Sequence, residues 1–197
     1  MVYIAVISLI LGTLAGYFIK DGSILTILIE NTDYVLYALM LSVGINIGLN
    51  KNVFSKIKEY SIKIVIIPMG TIIGSLLGGI ISSFILAMPF REGLAVASGM
   101  GWYSLSGVMI SNLGNSTLGA LAFMSNLLRE ILSFIMIPYV VRYLNPYSAI
   151  APAGATSEDT TLPMLIKYTN EEIVVLAIFH GMICSTFVPI LIRFFLT

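Results

Sequence analysis

Residues 151–163 read APAGATSEDTTLP and stand between two apolar runs. Where a membrane chain would continue in Leu, Ile and Val, this one offers Pro152, Gly154, Thr156, Ser157, Glu158, Asp159, Thr160, Thr161 and Pro163. The two prolines each remove a backbone donor, and Gly154 relaxes the backbone. Amides and carbonyls freed in this way cannot face lipid, so the segment must be buried in protein or line an aqueous cavity. Its adjacent carboxylates are costly at mid-bilayer depth, of order ~2.5–3.5 kcal/mol each on insertion scales. Such a cost marks the stretch as functional.

Working outward, the rest of the chain has the composition of an integral membrane protein. Of its 197 residues 58% are hydrophobic and 10% charged, where soluble domains carry roughly 25% charged residues. The mean hydropathy is +1.00. Residues 64–90, 93–128 and 173–192 contain no Asp, Glu, Lys or Arg, and each run is long enough for a spanning helix of ~20 residues. The formal charge balances to zero, which leaves no basic footprint for nucleic acid. The lone Cys184 cannot form an internal disulfide. Residues 1–19 lack a basic n-region and a small-residue cleavage site, so they read as a retained helix.

These runs predict an all-α membrane protein with about seven transmembrane segments, at 2–19, 34–49, 61–87, 94–112, 117–144, 149–166 and 173–195. Two of them are interrupted, at 99–107 and 151–163, in the manner of a secondary transporter. Residues 1–197 read as a single membrane transport domain. Gly44 and Gly48 on the second segment, and Gly70, Gly74, Gly78 and Gly79 on the third, suggest small-residue packing faces. The densest basic loop, 50–63, holds Lys51, Lys56, Lys58 and Lys63 against Glu59 and reads as cytoplasmic. That places the N-terminus inside and the C-terminus outside. If the broken sixth segment is re-entrant, the C-terminus changes side.

Asn126, Glu130 and Ser133 recur at i, i+4 and i+7, on one face of a helix. A carboxylate at that depth is a candidate for exchanging protons or holding a cation. Arg129 points about a quarter-turn away and need not neutralise Glu130 directly; an internal ion pair fixing helix packing is the structural alternative. Glu158 and Asp159 cannot face the same way on regular structure, so one is expected to face the cavity. Thr156, Ser157, Thr160 and Thr161 supply hydroxyls that could replace a hydration shell, or else cap the next helix.

The first interruption, GMGWYSLSG at 99–107, places Trp102 and Tyr103 either to close over an organic cation or to act as interfacial aromatics. Two such segments, each followed by a continuous helix, suit unwound helices meeting at a midplane site. They share an orientation, so they are not an inverted-repeat pair. His180 and Cys184 lie four apart, too few ligands for a metal, and a buried hydrogen-bonded histidine is the expectation. No P-loop, GxSxG, HExxH or CxxC occurs. An intramembrane aspartyl protease would need two converging aspartates, so the chain does not read as an enzyme.

At GMGWYSLSG (99–107), FMSNLLREIL (123–132), GATSEDTTLP (154–163) and FHG (179–181) the sequence resembles the lysine exporter (LysO) family of bacterial and archaeal membrane proteins. The resemblance implies secondary export of L-lysine and analogues such as thialysine across the cell membrane, in exchange for protons and without a cofactor. It places the family's pair of intramembrane acids on Glu130 and Asp159, with Glu158 at a variable position. These acids would alternately hold the substrate's ammonium groups and protons. The hydroxyls of Thr156, Ser157, Thr160 and Thr161 would complete the site, and Asn126 and Ser104 would orient it. Trp102, Tyr103, His180 and Glu158 are gate or packing residues in this scheme. Typical members carry further N-terminal helices, so a separate small membrane subunit or a homo-oligomer is expected as partner. The rival functions are an ion-coupled transporter of another organic solute and a non-transporting subunit of a split membrane transporter.

Overall fold

A computed structural model describes residues 62–197 throughout, together with ten scattered helical residues between Ile7 and Ile45. The chain falls into two units, Met1–Leu49 and Asn50–Thr197. In the first unit the described residues are helical and largely exposed. The expected segments at 2–19 and 34–49, the Gly44 and Gly48 pair, and the loop residues 50–61 otherwise lie outside the described residues.

The second unit is built from helices α1 (Lys63–Leu86), α2 (Phe90–Ala97), α3 (Tyr103–Leu113), α4 (Ser116–Tyr143), α5 (Ile150–Ala153), a 3₁₀ turn (Gly154–Glu158), α6 (Leu162–Tyr168) and α7 (Glu171–Leu196). Among the described residues, three helices are long and apolar enough to cross a membrane: Ile62–Leu86, Ser116–Tyr143 and Glu171–Leu196. At 1.5 Å per residue they run about 36–42 Å, enough to exceed a hydrocarbon core of ~30 Å.

Each helix boundary has a local cause. α1 stops where Ala87 turns left-handed (φ 50°) and the Met88 amide returns to the Ser83 carbonyl at 3.1 Å. Pro89 follows and cannot extend α1. The Asn115 side chain caps α4 by accepting from the Leu118 amide at 2.8 Å. Asn170 does the same for α7 through Ile173 at 3.1 Å, and Glu171 and Glu172 oppose the positive end of that helix.

In lipid there is no hydrophobic gain from helix association, so close fit and hydrogen bonds hold the unit together. α3 and α4 form a tight hairpin. A Cβ on Gly119 would lie 2.6 Å from the Ser111 Cβ, so only the missing side chain allows the approach. Ile137, Ile150, Leu165, Ile173, Leu176 and Phe179 knit α4 to α7 into one buried cluster. At one end Lys63 Nζ donates to Glu172 and to the Tyr147 hydroxyl, both at 2.9 Å, so α1 and α7 start at the same end.

The structure corrects one expectation. The interruptions are narrower than 99–107 and 151–163. The first break is confined to residues 98–102, with Tyr103, Ser104, Ser106 and Gly107 already on α3. In the second, residues 151–153 belong to α5 and residues 162–163 to α6. The glycine face of α1 is borne out at Gly79 among the described residues. Among the described residues, a Cβ on Gly70, Gly74 or Gly78 would meet nothing within 4 Å. Close packing falls on Gly79, about 100° round the helix, against Gly93 and Ala97 of α2.

Candidate functional site

The two breaks touch. The Met100 carbonyl, between α2 and α3, accepts from the Ala155 amide in the 3₁₀ turn at 2.9 Å. Opposite it, Gly154 adopts φ 61° and ψ −133°, a region that essentially only glycine reaches. A Cβ there would collide with the Met100 carbonyl. Arg129 reaches the same place from α4. Its guanidinium donates to the carbonyls of Ala151 (3.3 Å) and Pro152 (3.4 Å) and to Ser75 Oγ (2.8 Å). The backbone groups left open by two broken helices are thus partly satisfied by each other and by one cation, as a non-aqueous setting demands.

Asn126 pins the first break from beneath. Its Oδ1 accepts from the Gly101 amide at 2.8 Å. Its amide group donates to the carbonyls of Val96 (3.1 Å) and Ala122 (2.9 Å) and lies 3.3 Å from Ser106 Oγ. Asn126→Ala leaves a buried N–H and a buried C=O without this partner, at about 1–3 kcal/mol each. The expected result is a loss of about 2–4 kcal/mol, read as a lowered melting temperature of the purified protein, with Asn126→Asp intermediate.

One helical turn further along the same face, Glu130 is fully buried. Neither of its carboxylate oxygens has a hydrogen-bond partner among the described residues. The side chain of Thr160 approaches it, and Asp159 and Tyr103 lie within electrostatic range. Asp159 is exposed on the open side of the second break. Its Oδ1 accepts from both the amide and the hydroxyl of Thr160. Tyr103 is held edge-on to Phe123, ring centres 5.3 Å apart. Two acids, one buried and one open, therefore lie within electrostatic range of each other, with a phenol and a threonine beside them. Such an arrangement can hold an ammonium group or a proton.

The remaining hydroxyls divide by role. Thr156 donates to the Ala153 carbonyl and Thr161 to the Thr156 carbonyl, both at 2.8 Å. Both hydrogens are spent on the turn. Ser157 donates to the Ala177 carbonyl at 2.8 Å, so its 2.9 Å bond to His180 Nδ1 must be donated by the ring. The other ring nitrogen lies 2.9 Å from Thr71 Oγ1 and 3.7 Å from Cys184 Sγ. His180 thereby ties α1 to the second break through α7 and is fully buried. Glu158 is half-buried beside Gly181 and accepts from Ser185 Oγ at 2.9 Å. Trp102 precedes α3 and Ser104 lies in its first turn, both half-buried.

Sequence reasoning missed Thr71, Ser75, Ser106 and Ser185. Each is a small hydroxyl in an apolar run, and its partner is far away in the chain. Among the described residues no group of three His, Cys, Asp or Glu side chains could hold a metal ion.

The family described as lysine exporter LysO matches residues 6–196. The lysine exporter LysO of Escherichia coli is 39% identical over 166 residues, 84% of this chain and 55% of that protein. A Haemophilus influenzae relative is 38% identical over 196 residues, 95% of this chain and 94% of its own length. The chain thus spans just over half of the first relative and nearly all of the second. No solved structure matches.

Proposed function

The chain belongs to the lysine exporter LysO family, a family of membrane transporters and not of enzymes, and we propose that it exports L-lysine and close analogues such as thialysine by proton antiport. The observation that carries the reading is Glu130: a fully buried carboxylate without a hydrogen-bond partner among the described residues, within electrostatic range of Asp159. An unpaired charge there is costly, so the site favours either a bound proton or a bound cation.

Lysine carries two ammonium groups at neutral pH. Competition between them and protons for Glu130 and Asp159 couples the two fluxes: substrate leaves as protons take its place, and protons leave as substrate binds. The hydroxyls of Thr156 and Thr161 have lone pairs to spare and serve a cation better than an anion. Thr160 donates to Asp159 and stands beside Glu130. Asn126 and His180 keep the two breaks in position.

In this reading both breaks belong to discontinuous spans of one seven-span domain in the cell membrane, with the N-terminus inside. A homo-oligomer or a separate small membrane subunit would complete the transporter. The deciding experiment is labelled lysine efflux from proteoliposomes, with and without an imposed pH gradient. Gradient-stimulated efflux is expected. No lysine flux in either direction, from protein shown to be folded, would sink the proposal for this chain on its own.

A further inference from the structure

Glu130 and Asp159 account for ammonium groups, yet an amino acid also carries a carboxylate. On the neighbouring face of α4 lies a cleft of about 310 Å³ between α1, α2 and α4. Ser75, Ser82, Ser125, Asn126 and Arg129 are its polar lining. A guanidinium has five N–H donors, and three of those of Arg129 are committed, to Ser75, Ala151 and Pro152. Two remain. No Asp or Glu is recorded against it among the described residues, and Lys63 pairs with Glu172 at the start of α1, away from the cleft. The amide of Asn126 is spent on the first break, whereas Ser82 and Ser125 stand exposed to the cleft.

From this geometry we propose that Arg129, with the hydroxyls of Ser82 and Ser125, forms a carboxylate-binding subsite. It takes the α-carboxylate of the transported amino acid, and in that sense it rests on the export reading. The charges match: two acids for two ammonium groups, one guanidinium for one carboxylate. Positions 129 and 130 lie about 100° apart on α4 at the same depth, so the cation and the buried acid leave the helix on adjoining faces. The cleft has the volume of roughly ten waters at about 30 Å³ each, room for the backbone end of an amino acid. An acyl chain in the same place would leave the two free N–H groups unsatisfied.

The test separates the carboxylate from the ammonium groups. Cadaverine has both ammonium groups of lysine and no carboxylate. Binding of lysine and of cadaverine to the purified full chain is measured by calorimetry, alongside lysine flux in proteoliposomes. Wild-type protein is expected to favour lysine by roughly 10- to 100-fold. In Arg129→Gln this preference collapses towards unity while cadaverine binding is retained. Arg129→Gln also removes contacts that hold the break; Ser82→Ala with Ser125→Ala leaves those contacts alone and is expected to reduce the preference partially. Equal binding of the two ligands by wild type, or an undiminished preference in the folded variants, overturns the subsite. Flux without the preference would keep export and discard the subsite. An Arg129-dependent preference without flux would keep the subsite and discard export.

Discussion

Glu130→Gln is expected to lower proton-driven lysine efflux by roughly two to three orders of magnitude with the protein still folded. The carboxylate is fully buried and makes no hydrogen bond among the described residues, so in the resting protein it contributes little that a neutral amide could not. Melting temperature should therefore hold or rise. What the amide cannot do is exchange a proton or balance an ammonium charge taken out of water. Removing one partner of a buried ion pair costs about 3–5 kcal/mol, which sets the expected loss. Asp159→Asn should show the same loss of coupled flux, because the acid sits in electrostatic contact with Glu130. Efflux close to wild type in both variants would take the acids out of the mechanism.

Gly154→Ala is the change expected to damage the fold most. Its φ of 61° and ψ of −133° cost a non-glycine residue of order 1–3 kcal/mol in backbone strain. The added Cβ would also run into the Met100 carbonyl, the same oxygen that accepts from Ala155. The contact is backbone against backbone, so no side chain can swing aside. The two breaks would have to separate, stranding amides and carbonyls that no water reaches. A loss of at least about 3 kcal/mol is expected, seen as a lowered melting temperature and poor recovery of folded protein. Gly74→Ala is the control. Among the described residues nothing lies within 4 Å of its would-be Cβ, so the change should be neutral or stabilising by about 0.5–1 kcal/mol through helix propensity. If Gly154→Ala behaved like this control, the crossing of the breaks would be wrong.

Much of the site was legible before the structure because its signals are local. Asn126, Glu130 and Ser133 announce a shared face by spacing alone, and all three are buried. Arg129 could be placed off that face by the same arithmetic, and it turns to Ser75 and to backbone carbonyls and not to Glu130. The glycines of α1 show where such reasoning stops. Spacing grouped Gly70, Gly74, Gly78 and Gly79, but what packs on a glycine is decided by another part of the chain, and among the described residues α2 closes on Gly79.

By itself the sequence determined that this is a helical membrane protein with costly acids inside its apolar segments. Composition, hydropathy and the pricing of charge in lipid need no partner residues. Only the tertiary structure decided that the breaks meet at Met100 and Gly154, that His180 fastens Ser157 to Thr71, and that Arg129 turns to Ser75 and two backbone carbonyls. Those facts join residues up to 109 positions apart. They depend on which backbone groups a broken helix leaves open and on which neighbour can reach them, and no spacing along the chain encodes that.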